Sequence, residues 1–167
     1  MTDTDDDSRE DTRKTQARAL KLFVIATLAV GASASVFTEP NIGGWYAHLV
    51  RPAIAPPNWV FAPVWTTLYV VMAYAAWRVW KKTGLRSWEM AGWGIQLAFN
   101  FAWSLIFFGL HQMGAALGEI ILLDLAILYT AALFWRRDGI AGALMLPYLA
   151  WTLFATVLTD AFWQLNP

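Results

Sequence analysis

Residues 113–135 read MGAALGEIILLDLAILYTAALFW, a run of 23 residues with only two charged side chains. At 1.5 Å per residue, a helix of this length is about 35 Å long, enough to cross the roughly 30 Å hydrocarbon core of a bilayer. Four further apolar stretches lie at residues 20–37, 61–80, 90–110 and 140–163. The sequence therefore predicts an all-α integral membrane protein, a bundle of five transmembrane helices.

The composition of the whole chain supports this class. Of 167 residues, 58% are hydrophobic and 14% are charged, whereas soluble domains average about 45–50% and 25%. The 12 basic residues cancel the 12 acidic ones, so we expect no nucleic-acid partner. The chain has no cysteine, which excludes disulfides, thiolate nucleophiles and cysteine-bound metals.

The distribution of Lys and Arg predicts the orientation of the spans. Eleven of the twelve flank the N-terminus and the second and fourth connections, and only Arg51 lies in a connection on the other side. By the positive-inside rule the N-terminus is cytoplasmic and the C-terminus extracytoplasmic. Residues 1–19 are expected to be a disordered, charged cytoplasmic tail. Ala32-Ser33-Ala34 has the character of a signal-peptide cleavage site, but the long acidic leader favours a span.

The first connection, residues 38–60, is long and contains clustered prolines and the aromatic residues Trp45, Tyr46 and Trp59. Long connections in compact proteins are usually functional or disordered. The aromatic side chains favour order, so this segment is predicted to be a lid over one mouth of the bundle.

Three of the eleven tryptophans do not fit the interfacial belt that accounts for most of them. Trp103 and Trp151 lie well inside their spans, and Trp65 lies one turn into the second span. On the third span, Gln96 and Asn100 share one face with Trp103.

The fifth span likewise places Tyr148, Trp151 and Ala155 on one face. Polar groups in hydrocarbon are costly unless they are satisfied, so these faces should point into the bundle. Two interpretations remain open on spacing alone. The polar side chains either bond adjacent helices together, or they anchor a ligand in an aromatic-walled pocket.

Three blocks of sequence resemble the signature of the TspO/MBR family, the tryptophan-rich sensory proteins related to the mitochondrial translocator protein or peripheral-type benzodiazepine receptor. The first block runs from Trp45-Tyr46 through Arg51-Pro52 and Pro56-Pro57 to Trp65 and Tyr69; the second contains Gln96, Asn100, Trp103 and Phe107; the third contains Pro147-Tyr148, Trp151 and Phe154-Ala155. The blocks occur in order between residues 37 and 166.

The resemblance implies a bacterial inner-membrane homodimer with a ligand cavity under the first extracytoplasmic loop. It implies binding of porphyrins such as protoporphyrin IX and haem, or of benzodiazepine-site ligands, with no obligatory cofactor and a sensor or carrier role. It places Trp65, Asn100 and Trp151 in the pocket and associates Trp45 with porphyrin chemistry. The expected ligand-binding set is Trp45, Tyr46, Trp65, Gln96, Asn100, Trp103, Tyr148, Trp151, Phe154 and Ala155.

No acid–base pair, nucleophile or metal cluster is apparent, so no catalytic or metal-binding residue is predicted and the protein is not expected to be an ordinary enzyme. Light-dependent porphyrin breakdown assisted by tryptophan and porphyrin transport are the alternatives.

The sequence departs from the family pattern at Ile54, where an aromatic residue is common, and at Leu158-Thr159-Asp160. No basic residue follows Tyr148 in its helix, so the weak cholesterol motif is absent.

Several polar residues lie outside these blocks. Glu119, Asp124 and Asp160 are acids within apolar runs; Asp124 is expected to be a neutral, hydrogen-bonded interior residue, with a proton site as the alternative. His48 and His111 are candidate haem ligands but are expected to be solvated.

Two further features each leave two interpretations open. Arg51 is either a partner for a porphyrin propionate or an ordinary lid residue. Gly114-x-x-x-Gly118 indicates a close helix contact, within one chain or between two.

Overall fold

A computed structural model describes residues 3–167, with side chains from Glu10 onward. It contains five α-helices: α1 Asp3–Ile42, α2 Phe61–Thr83, α3 Trp88–Ser104, α4 Met113–Arg137 and α5 Gly139–Leu165. Two short 3-10 helices, Trp45–His48 and Asn58–Val60, lie between α1 and α2. No strand occurs within residues 3–167. The predicted all-α bundle is confirmed, and all five helices are long and apolar enough to cross a membrane.

The helices form a ring in which α1 packs against α2, α2 against α5, α5 against α4, α4 against α3, and α3 against α1. We call the end that carries residues 43–60 and the C-terminus the loop end. The opposite end, which carries the α2–α3 and α4–α5 connections, is the basic end. Apart from α1, the helices lie within three residues of the predicted spans when the turn after α3 is included.

Helix α1 differs from the expectation at both of its termini. Residues 3–19, expected to be disordered, continue the helix, while residues 1 and 2 lie outside the described part. Lys14 Nζ lies 2.8 Å from Glu10 Oε1 one turn away, and Trp77 Nε1 donates to the Gln16 carbonyl at 2.9 Å. An i,i+4 ion pair and a bond to α2 support helix where composition alone suggested disorder. The helix also runs through Pro40 to Ile42, so the connection starts later than residue 38.

A wide turn of π-helix, Leu105–Gly109, follows α3. The Leu110 amide donates to the Leu105 carbonyl at 2.9 Å, five residues back rather than four. The extra residue in this turn turns both Phe107 and Phe108 inward, and each is at least 91% buried. With Tyr46 and Phe162 they form an aromatic core at the loop end.

Asp138 links α2 to α5 at the basic end. Its side chain accepts from the Ala141 amide at 3.0 Å and so caps α5. Arg78 Nη2 and Lys82 Nζ, both on α2, lie 3.0 and 2.9 Å from Asp138 Oδ2. The hydrogen bonds from Arg78 and then Lys82 hold the pKa of Asp138 well below its usual range.

The connection at the loop end is ordered by contacts to its own residues and to α5. The Val50 amide donates to Asn166 Oδ1 at 2.8 Å, and Asn166 Nδ2 donates back to the Val50 carbonyl at 3.1 Å. Arg51 Nη1 donates to Asn58 Oδ1 at 3.0 Å, and Arg51 Nη2 donates to the Pro56 carbonyl. Both bonds from Arg51 stay within the connection itself. They fit the interpretation of Arg51 as an ordinary lid residue.

Gly114 contributes to a contact within the chain. A Cβ placed on Gly114 would lie 3.1 Å from the indole of Trp163 on α5, whereas one on Gly118 meets nothing within 4 Å. The first glycine of the Gly114-x-x-x-Gly118 motif therefore packs α4 against α5.

Candidate functional site

A cavity of about 520 Å³ occupies the loop-end half of the bundle, and all five helices contribute to its lining. Its size falls within the roughly 300–1,000 Å³ typical of small-molecule sites. The lining is largely apolar and aromatic, and Glu39 is its one charged residue. Such a cavity suits a hydrophobic ligand that has few polar groups.

A chain of hydrogen bonds forms the polar floor of the cavity. The Tyr69 hydroxyl donates to Asn100 Oδ1 at 2.6 Å, and Asn100 Nδ2 donates to the Tyr148 hydroxyl oxygen at 3.3 Å. All three side chains are buried. Trp65 stacks on Tyr69 with ring centroids 5.6 Å apart and planes 29° apart. Because Asn100 bonds to a side chain on either side, these bonds fix the position of its amide in the floor.

Indole and phenyl rings form the walls. Trp103 stacks on Phe107, with centroids 5.1 Å apart and planes 18° apart. Trp151 is held by the edge of Phe61 at 5.8 Å and by Phe154 at 5.5 Å. Rings fixed by neighbouring rings present flat faces at little entropic cost on binding.

Helix α1 lies close to the floor at Gly31. A Cβ built there would lie 2.3 Å from Cε2 of Tyr69, closer than any side chain tolerates. Glycine at this position therefore lets α1 pack directly on the Tyr69 ring.

The cavity opens between α1 and α2. Its exposed lining residues are Ala32 and Glu39 on α1, Ala62 and Thr66 on α2, and Asn58 just before α2. Tyr46 closes the loop end, and burial raises the pKa of its phenol. The loop thus covers one mouth, while the gap between the first two helices remains open.

Six of the ten expected ligand-binding residues line this cavity. They are Tyr46, Trp65, Asn100, Trp103, Trp151 and Ala155. Tyr148 ends the hydrogen-bond chain of the floor without lining the cavity, and Phe154 contacts the Trp151 ring.

Gln96 and Trp45, like Tyr148 and Phe154, lie outside the lining. Gln96 is completely buried, and its Nε2 donates to the Trp93 carbonyl at 3.0 Å. Trp45 stacks on His111 at a centroid distance of 4.2 Å. Gln96 and Trp45 thus pack beside the cavity rather than in its wall.

Sequence analysis missed the contribution of α1 and of Phe162 to the lining, and it named Phe107 only as part of the second sequence block. The lining also includes Leu28, Gly31, Ala34, Phe61, Phe107, Phe108, Leu158 and Phe162. Small residues at positions 31, 32, 34 and 35 were the available signal on α1, because they mark a helix face that another group approaches closely.

The remaining polar candidates lie outside the cavity lining. Asp124 Oδ2 accepts from Thr156 Oγ1 at 2.7 Å, the hydrogen bond expected of an interior residue. Glu119 is buried, and neither of its oxygens has a hydrogen-bond partner. His48 bonds to the Gly44 carbonyl, and His111 bonds to Asn41, so neither ring faces the cavity. Among side chains from residue 10 onward, no cluster suited to a metal ion occurs.

Comparison with known proteins agrees with this architecture. The model of the TspO/MBR family matches residues 23–164. The chain is 41% identical to the human translocator protein, over 73% of this chain and 75% of that protein. It is 39% identical to the tryptophan-rich protein TspO of Archaeoglobus fulgidus, over 86% and 94%, and 36% identical to protein CrtK of Rhodobacter capsulatus, over 87% and 91%. The chain belongs to the TspO/MBR family.

Proposed function

We propose that this membrane protein binds a tetrapyrrole, such as protoporphyrin IX or haem, in the cavity and acts as its sensor or carrier. The observation that carries the proposal is the arrangement of three indoles, Trp65, Trp103 and Trp151, around one cavity whose floor is Asn100. Planar π-systems stack well on indole faces, each pair contributing roughly 0.5–1.5 kcal/mol.

The polar floor supports an orienting role for Asn100. Its amide already bonds Tyr69 and Tyr148, so its position is fixed before a ligand arrives. A carbonyl oxygen keeps a second lone pair, which a ligand N–H can use. Exclusion of water strengthens such a bond.

The test is a titration of the full chain in detergent with protoporphyrin IX, followed by its visible absorbance. Replacing Trp65, Trp151 and Asn100 together by alanine should weaken binding at least tenfold. The loss of two stacked pairs alone removes about 1–3 kcal/mol, and 1.4 kcal/mol corresponds to a factor of ten.

The matched control is Trp88→Phe, a change to an indole that is 79% exposed at the opposite end of the bundle. This variant should bind as the unaltered chain does. Binding that is undiminished in the triple variant would exclude the cavity as the site. Equal losses in the triple variant and in Trp88→Phe would also exclude the cavity as the site, because the loss would then not depend on the cavity lining.

A second candidate is light-driven oxidation of the bound porphyrin by dissolved dioxygen, which is reduced as the porphyrin is oxidised; the position of Trp151 in the cavity wall favours an indole that assists this electron transfer. Illumination of the complex should then bleach the porphyrin faster than free porphyrin in the same micelles. Trp151→Phe keeps a ring in the wall and should slow the bleaching. Bleaching that is independent of Trp151 and of Trp45 would leave binding alone as the function.

We also propose a bacterial inner-membrane location, with the loop end on the extracytoplasmic side. Support comes from the uneven distribution of Lys and Arg between the two ends. The homodimer that the family resemblance implies stays a prediction, which cross-linking in native membranes can check.

A further inference from the structure

A groove at the basic end runs between α3 and α4, far from the cavity. It is lined by Trp88, Glu89, Tyr129, Leu133, Arg136 and Arg137. Trp88 begins α3 and Arg137 ends α4. The groove therefore lies where two membrane-spanning helices leave the hydrocarbon and meet the headgroup layer.

The charges in the groove leave one guanidinium unbalanced. Arg137 Nε lies 2.6 Å from Glu89 Oε1, so these two residues neutralise each other. Arg136 has no ion-pair partner among the side chains described from residue 10 onward. A free guanidinium offers a planar fork of donors that matches a phosphate group.

The apolar part of the groove extends from Arg136 toward the membrane interior. Tyr129, Leu133 and Arg136 share one face of α4 at spacings of four and seven residues. Tyr129 lies seven residues before Arg136, about 10 Å deeper at 1.5 Å per residue. The side chains of Tyr129 and Trp88 are 56% and 79% exposed, so apolar surface lies directly below the charge.

We propose that this groove binds one anionic phospholipid, with the phosphate at Arg136 and an acyl chain along Leu133 and Tyr129. An amphiphile uses both parts of the groove, whereas a free phosphate uses only the arginine end. Basic pockets between helices at a membrane surface are known to suit anionic lipid headgroups. The site is separate from the tetrapyrrole cavity and does not depend on it.

The experiment is native mass spectrometry of the full chain in detergent, titrated with phosphatidylglycerol or phosphatidylcholine. Both lipids carry a phosphate, but the choline cation of phosphatidylcholine offsets the phosphate charge and is repelled by Arg136, so phosphatidylglycerol should bind about fivefold more tightly. Arg136→Gln should remove this preference. Arg86→Gln, which alters an exposed cation at the same end but outside the groove, should retain it. Tyr129→Ser should weaken both lipids alike.

The proposal is overturned if the unaltered chain shows no preference, or if Arg86→Gln lowers the preference as much as Arg136→Gln does. The second result would indicate diffuse charge attraction. Competition by glycerol 3-phosphate at the concentration of the lipid would also overturn it, because a phosphate site would then need no acyl chain. Tyr129→Ser keeps the test decisive if Arg136→Gln does not fold, since unchanged lipid binding would exclude the acyl subsite.

Discussion

At the scale of single residues, Gly31 sets the distance between α1 and the floor of the cavity. Its hydrogen atoms face the ring of Tyr69, whose hydroxyl fixes Asn100. A change at Gly31 therefore acts on the floor through Tyr69, although Gly31 itself bears no polar side chain.

We expect Gly31→Ala to displace the Tyr69 ring or α1, because the new Cβ would lie 2.3 Å from Cε2 of Tyr69. Overpacking of this kind costs about 1–3 kcal/mol. The variant should melt at a lower temperature and bind protoporphyrin IX more weakly, as measured by thermal unfolding and absorbance titration.

Gly94→Ala is the matched control for this prediction. Gly94 lies on α3, and a Cβ there meets nothing within 4 Å. The control should melt at the same temperature or slightly higher, since alanine favours helix over glycine by up to about 1 kcal/mol. Equal melting temperatures for the two variants would contradict the proposed contact.

Helical spacing predicts part of the candidate site, because Trp103 shares a face with Asn100 on α3 and Trp151 shares a face with Ala155 on α5. The place of Trp65 in its span already sets it apart from the interfacial tryptophans, and the family resemblance adds Tyr46. Neither source indicates that Gln96 and Trp45 pack beside the lining. Their positions depend on which side chains of other helices pack around them. The spacing of residues along a single helix does not indicate those contacts.

At the scale of helices, Asp138 links the end of α2 to the start of α5. It accepts bonds from Arg78 and Lys82 while it caps α5. One carboxylate thereby fixes the relative position of two helices that both line the cavity at their other ends.

Asp138→Asn should destabilise the protein at pH 7 by about 1–3 kcal/mol, because the amide keeps the cap but loses the charge-assisted bonds. The pKa of Asp138 is lowered in the folded state. The stabilisation is therefore complete well above the unfolded pKa of about 3.9 and is lost as the pH falls from there toward the lower folded-state pKa. Melting curves between pH 7 and pH 3 should show the gap between the two proteins narrowing at acid pH.

Asp160→Asn serves as the control for that series. Among the side chains described from residue 10 onward, Asp160 bonds only to Gln164, one turn away on the same helix, so its replacement should shift the melting temperature little. A gap between the unaltered chain and Asp138→Asn that stays constant down to pH 3 would exclude the ionic contribution.

The helix bounds could be predicted closely for four of the five spans, since the hydrocarbon thickness fixes their length. The length of α1 could not. Its first third is charged, and its order depends on an ion pair and on the bond from Trp77 on another helix. The π turn at residues 105–109 could not be predicted either. Its residues are as apolar as those of the α-helical spans, so the composition does not distinguish the two kinds of helix.

At the scale of the whole molecule, orientation in the bilayer follows from charge. Eleven of the twelve basic residues belong to the basic end, and only Arg51 belongs to the loop end. We expect the loop end to face away from the cytoplasm.

The chain has no cysteine, so single introduced cysteines can be labelled without background. A membrane-impermeant maleimide should label Ala53→Cys, in the exposed loop, on intact spheroplasts. Arg86→Cys, at the other end, should react only after the membrane is permeabilised. The reverse pattern would contradict the orientation.

The π turn after α3 has a consequence for how this protein can change over evolution. Because the Leu110 amide reaches five residues back, the turn holds one residue more than an α-helix would. Turns of this kind often lie at functional sites. Deletion of one residue between 105 and 109 would restore α-helix and rotate Phe107 and Phe108 by about 100° relative to what precedes them. The cavity of a relative could therefore be reshaped by a change in chain length while every aromatic residue is retained.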